Sequence, residues 1–72
     1  MWLKTRLLEY AGLIFINTNL IELIEIKELP TDKYAIELSY DNKDWRIDEY
    51  FDSEQDAIRY LGSNMNQRID LL

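Results

Sequence analysis

The chain has 72 residues, about half the size of an ordinary domain, so one small domain spanning residues 1–72 is expected. Apolar residues at 47% against charged residues at 31% are the balance of a chain that folds, not of a disordered one. Fourteen acidic and eight basic residues give a net charge of −6, which repels nucleic-acid backbones and anionic lipid; the absence of Cys and His excludes disulfides, thiolate and imidazole catalysis and nearly all transition-metal chemistry.

Residues 3–8 and 13–16 are short apolar stretches of strand length, and Tyr10-Ala11-Gly12 between them reads as a hairpin connection. In the first stretch Trp2, Lys4, Arg6 and Leu8 share one face, and Leu3, Thr5 and Leu7 share the other. Leu13, Ile14, Phe15 and Ile16 are apolar on both faces of a strand, so both faces require cover. A single helix covers one face, and the other is left for the remaining chain or for a second subunit. These four residues are therefore the candidate interface of a homodimer. Asn17-Thr18-Asn19 then interrupts the apolar run as a turn.

Residues 20–28 carry apolar side chains at 20, 21, 23, 24 and 26. A strand with a bulge near Leu23 turns Ile21, Ile24 and Ile26 inward and is preferred to a helix, whose face Lys27 would spoil. Residues 29–33, Leu-Pro-Thr-Asp-Lys, form a turn. Tyr34, Ile36, Leu38 and Tyr40 alternate with Ala35, Glu37 and Ser39, the period of a half-buried antiparallel strand. After a polar connection at residues 41–44, Trp45, Ile47 and Phe51 alternate with Arg46, Asp48 and Tyr50, and Glu49 falls out of pattern near a strand end.

Asp52 is placed to cap a helix whose first turn holds Glu54, Gln55 and Asp56, with Gln55 bonding back as in a capping box. Ile58, Leu61, Met65, Ile69 and Leu72 step at helical spacing, which favours one helix running through Gly62 to the end over a helix capped at Gly62. The expected fold is α+β: an antiparallel meander of four to five strands packed on one face by a C-terminal helix. Ile24, Ile26, Ile36, Leu38, Trp45, Ile47, Phe51, Ile58, Leu61 and Met65 would supply most of its core.

The acidic charge is local, with residues 21–56 holding −8. Asp41, Asp44, Asp48, Glu49 and Asp52 form the candidate acidic surface. A calcium loop is excluded there, because Lys43 and Trp45 stand at the third and fifth positions from Asp41 and no glycine supplies the sharp turn. Catalytic carboxylates would need a pocket and displaced pKa values, which a small meander does not offer. Trp45, Arg46, Tyr50 and Phe51, with Tyr34 and Tyr40 opposite, could suggest a base-stacking platform, but they lie in the acidic part of the chain, where core and cross-strand packing is the better account.

The hairpin, the Ile-Asn-Thr-Asn-Leu-Ile turn at residues 16–21 and the Phe-Asp-Ser-Glu-Gln-Asp-Ala-Ile helix start at 51–58 together resemble small bacterial and phage-borne proteins in which a β-meander precedes one helix. The resemblance implies a fold and no activity. Nine isoleucines without a valine also suggest an AT-rich bacterial or phage genome. No residue set for an enzyme, a cofactor or a metal is present. The expectation is a cytoplasmic, non-enzymatic protein that acts through protein–protein contacts, with a protein partner and no nucleic acid or membrane. The alternative is an acidic inhibitor that imitates nucleic acid and occupies the basic groove of a DNA-binding or anti-phage defence protein.

Overall fold

The computed structural model describes residues 1–66. In chain order it contains β1 (Trp2–Thr5), β2 (Ile14–Asn17), a 3₁₀ turn (Thr18–Leu20), β3 (Leu23–Glu28), β4 (Tyr34–Tyr40), β5 (Lys43–Phe51), α1 (Glu54–Asn64) and β6 (Met65–Asn66). The strands form two antiparallel three-stranded sheets, ordered β2-β1-β6 and β3-β4-β5. The expectation of α+β holds, but a single meander does not. The N-terminal hairpin builds a sheet of its own, and the chain comes back to complete it after the helix.

Turn chemistry sets the second sheet. Asp41 and Asn42 both have positive φ, 54° and 59°, as a two-residue turn between β4 and β5 requires. Asp32, at φ 64°, supplies the left-handed residue of the β3–β4 turn, which the Leu29 N–H closes onto the Lys33 carbonyl at 2.7 Å. Just ahead of β3 the Glu22 N–H donates to the Ser39 carbonyl at 2.7 Å, and from Leu23–Ser39 to Glu28–Tyr34 the register is unbroken, so the bulge expected near Leu23 does not fall within the strand.

One irregularity joins the two sheets. Ala35 pairs with Tyr50 and Glu37 with Arg46, so residues 47–49 of β5 stand across from Ile36 alone. Such a bulge bends its strand and frees backbone groups for another partner. Here the Asp48 N–H donates to the Arg6 carbonyl at 2.8 Å and the Leu8 N–H to the Arg46 carbonyl at 3.0 Å, with Leu7 opposite Ile47. The bulge also explains the misfit of Glu49, which is exposed within the strand while Tyr50 turns out and Phe51 turns in.

The core gathers Leu3, Leu7, Ile16, Ile36, Leu38, Ile47, Phe51 and Ala57 around a buried Thr5. The face Leu3–Thr5–Leu7 is thus the inner one. Two expected core members, Ile24 and Ile58, lie elsewhere, and Ile26 and Leu61 are only partly buried against the core. Ile24 is 37% exposed on the edge strand and Ile58 is 50% exposed on the outside of α1, while Trp45 and Met65 pack from the margin. The helix turns Ala57, Tyr60, Leu61 and Asn64 inward, because a small Ala57 lets its axis approach the sheets. Tyr60 contacts Phe51 with ring centroids 5.2 Å apart, and its hydroxyl bonds the Thr5 hydroxyl at 2.9 Å.

Both ends of the helix differ from expectation. The N-cap is Ser53, whose Oγ accepts from the Asp56 N–H at 3.1 Å, while Asp52 is drawn into an ion pair with Lys33. The helix passes through Gly62 but stops at Asn64, where Met65 turns extended (φ −98°, ψ 126°) to pair with Leu3. Ile69 and Leu72 of the expected stripe lie outside the described residues.

Candidate functional site

The candidate interface residues divide by strand parity. Leu3 pairs with Ile16 and Thr5 with Ile14, so Ile14 and Ile16 follow the inner face of β1, and Ile16 is 6% exposed. Lys4 pairs with Phe15, which places Phe15 on the outer face with Trp2 and half-buried, and Leu13 remains 45% exposed. Half of this apolar stretch is covered within the chain. Ile14, Phe15 and Ile16 also line a groove, which Leu13 does not reach.

That groove has a volume of about 370 Å³ and is lined by Trp2, Tyr10, Ile14, Phe15, Ile16, Asn17, Leu20 and Tyr40. Its size is at the lower end of the range of ligand pockets. Four segments contribute: β1, the loop carrying Gly12 (φ 95°), β2 with its 3₁₀ turn, and the end of β4. The 3₁₀ turn holds Leu20 in place because the Asn17 side chain caps the Asn19 N–H at 3.0 Å and the Thr18 N–H bonds the Met1 carbonyl at 2.9 Å. Leu20 is 61% exposed at the rim.

The two outer rings of an aromatic stack, Tyr10 and Tyr40, line one side. Trp45 lies between Tyr10 and Tyr40, with centroid separations of 5.2 and 5.4 Å and interplanar angles of 27° and 20°. Lys43 Nζ stands 5.9 Å from the indole centroid. The Trp45 Nε1 is buried with no hydrogen-bond partner among the described residues. Burial, followed by the neighbouring Tyr10 hydroxyl, raises the Tyr40 phenol above its ordinary value, so it stays neutral. The groove therefore presents apolar and aromatic surface with no ionised group in its lining. It can take up an apolar or aromatic group, and its lining holds no acid, base or nucleophile poised for a reaction.

The acidic residues do not converge. Asp41 and Asp44 flank the β4–β5 turn, Asp52 lies at the far end of the nine-residue β5, and Asp48 and Glu49 share a smaller depression with Lys4 and Arg6. All five are exposed. Asp44 accepts from the Ser39 hydroxyl at 2.5 Å, and Asp52 is held below the usual carboxylate range by Lys33. Among the described residues no three acidic side chains come close enough to hold a metal ion.

The strongest electrostatic arrangement is on the outer face of the second sheet. Glu37 receives Lys27 at 2.9 Å from β3, and from β5 it receives Arg46 through Nη2 at 2.7 Å and Nε at 3.2 Å. Lys27 and then Arg46 lower the Glu37 pKa, and Glu37 in turn raises that of Lys27. Sequence reasoning found the strands that carry these residues but not the ladder across them.

No helix among the described residues is long and apolar enough to cross a membrane. Comparison with known protein families, curated proteins and solved structures finds no match to this chain.

Proposed function

We propose that this chain is a small non-enzymatic interaction protein of the cytoplasm, which receives an apolar or aromatic anchor of a protein partner in the Trp2–Phe15–Tyr40 groove. The carrying observation is the groove itself. It is mostly apolar, lined by the Tyr10 and Tyr40 rings that flank Trp45, with Tyr10 and Leu20 exposed. Interfaces draw most of their affinity from pockets of this kind, filled by one large side chain and ringed by weaker contacts. The groove also lies mainly on residues 1–20, which carry a net charge of +1, so an approaching partner meets little of the acidic field.

Two variants separate this reading from imitation of nucleic acid. Leu20→Glu places a charge at an exposed rim position without touching the core. Asp41→Asn with Asp44→Asn removes acidic charge while keeping the turn geometry, since Asn tolerates positive φ. Affinity capture from the native host is expected to lose its main partner with Leu20→Glu, to keep it with the double Asn variant, and to resist a few hundred millimolar salt. Loss with the Asn variant, together with elution by salt, would replace this reading with mimicry.

A further inference from the structure

We infer that two copies of this chain pair through β3, antiparallel and in one register, with Ile26 on the two-fold axis, to join their second sheets into a six-stranded one. This inference is independent of the groove. Among the described residues the sheet edges are β2, β6, β3 and β5; residues 6–8 bond the middle of the nine-residue β5, and the six residues of β3 are the longest uninterrupted free edge, against four in β2 and two in β6. Long unpaired edges are what proteins normally shorten, bulge or cover. No proline interrupts β3, and its register against β4 is unbroken.

The hydrogen-bond pattern states which backbone groups are free. Leu29 bonds Lys33, and the Leu23 end is anchored on Ser39, so the odd-numbered residues of β3 face β4. In an antiparallel ladder the bonding direction alternates along the strand. Ile24, Ile26 and Glu28 therefore direct their N–H and C=O groups outward. Two-fold pairing must set even residues against even ones, which leaves few registers. Centring on Glu25 opposes Glu25 to Glu25, and centring on Lys27 opposes Lys27 to Lys27. Centring on Ile24 leaves Glu25 facing Leu23 and shortens the ladder. Centring on Ile26 sets Ile26 against Ile26, Leu23 against Leu29, and Glu25 against Lys27 twice by symmetry.

The last pairing meets a need visible within one chain. Glu25 lies directly opposite Glu37, a like-charge cross-strand pair, and Lys27 is engaged by Glu37 on the same face. A second copy brings its own Lys27 to Glu25. The side chains that would be covered, Leu23 at 52% and Ile24 at 37%, are among the exposed large apolar residues of the molecule.

The test is sedimentation equilibrium combined with hydrogen exchange on the whole chain. At about 100 μM and physiological salt the wild type is expected at twice the chain mass, and the amides of Ile24, Ile26 and Glu28 gain protection as concentration rises. Glu25→Lys alone, or Lys27→Glu alone, sets like charges across the axis twice and weakens association by about tenfold or more. The double exchange Glu25→Lys with Lys27→Glu restores the opposite-charge pairs and the dimer. Circular dichroism confirms that each variant is folded. A monomeric wild type at that concentration overturns the inference. So does a dimer that the single exchanges leave intact, or one in which the three β3 amides exchange alike at all concentrations. Failure of the Leu20→Glu capture experiment would leave these outcomes unaffected.

Discussion

Replacing Tyr60 by Phe removes one oxygen, and the consequence falls on Thr5. The Thr5 side chain is 2% exposed, and its hydroxyl meets the Tyr60 hydroxyl at 2.9 Å where α1 crosses β1. Without that partner a buried hydroxyl is stranded, at a cost of about 1–3 kcal/mol. Thr5→Val removes the other partner. Tyr60 is only half-buried, so its hydroxyl can turn to water, and valine suits a strand; the expected cost is below about 1 kcal/mol. In the Thr5→Val background, Tyr60→Phe strands nothing and should cost less than about 0.5 kcal/mol. The two changes are therefore coupled by about 1 kcal/mol or more. In a domain of this size each kcal/mol shifts the melting temperature by about 4–8 °C. Urea titrations of the four proteins, followed by circular dichroism and tryptophan fluorescence, measure the cycle. A Tyr60→Phe cost that is the same in both backgrounds would refute the argument that this bond fixes the helix on β1.

Acid should act through Glu37. Its folded pKa lies below the ordinary value of about 4.3, so its contribution is complete above that pH and is lost as the pH falls through the folded value. The stability gap between wild type and Glu37→Gln, read as urea midpoints at pH 7, 5 and 3, is expected to be widest at neutral pH and to close on acidification. A constant gap would mean that the ladder with Lys27 and Arg46 does not bind the charged form selectively. Ser53→Ala should cost about 1 kcal/mol through loss of the N-cap, while Asp52→Ala leaves the helix end intact. Thermal melts that rank the two variants the other way would move the cap to Asp52.

Strands and turns were readable where their determinants are local. The alternation of residues 34–40 and the Asn17 turn each follow from a few neighbouring residues, whereas the connection expected over 41–44 is a two-residue turn, with Lys43 and Asp44 already in β5. The face of the helix was not. Ile58, Leu61 and Met65 form a consistent stripe, yet the inward positions are Ala57, Tyr60 and Leu61, and a small residue such as Ala57 leaves no mark in a pattern of large apolar ones. Nor could the cover of the N-terminal hairpin be read, since Leu7 meets Ile47 and Leu3 meets Met65 from far along the chain. Of residues 13–16, Ile16 is buried inside the molecule, Ile14 and Phe15 are half-buried and Leu13 is exposed. The groove takes residues 14–17 from β2 but only single residues from β1, the loop before Gly12 and the end of β4. Its trace in the sequence was Tyr10 and Leu20, large apolar residues set in turns, where no core could use them.

The placement of β1 also governs the order of assembly. The β3–β4 and β4–β5 turns close over a few residues, whereas Leu3 and Met65 are roughly sixty residues apart. Loop-closure entropy makes the longer closure about 2–3 kcal/mol more costly than a tight turn. The β3-β4-β5 meander can therefore form early, with Ile36, Leu38 and Ile47 facing water. The strand made first is then the last to acquire all its neighbours. Until it docks, the nascent molecule is a half-covered sheet with a long open margin, the state in which small β-rich chains are most exposed to aggregation.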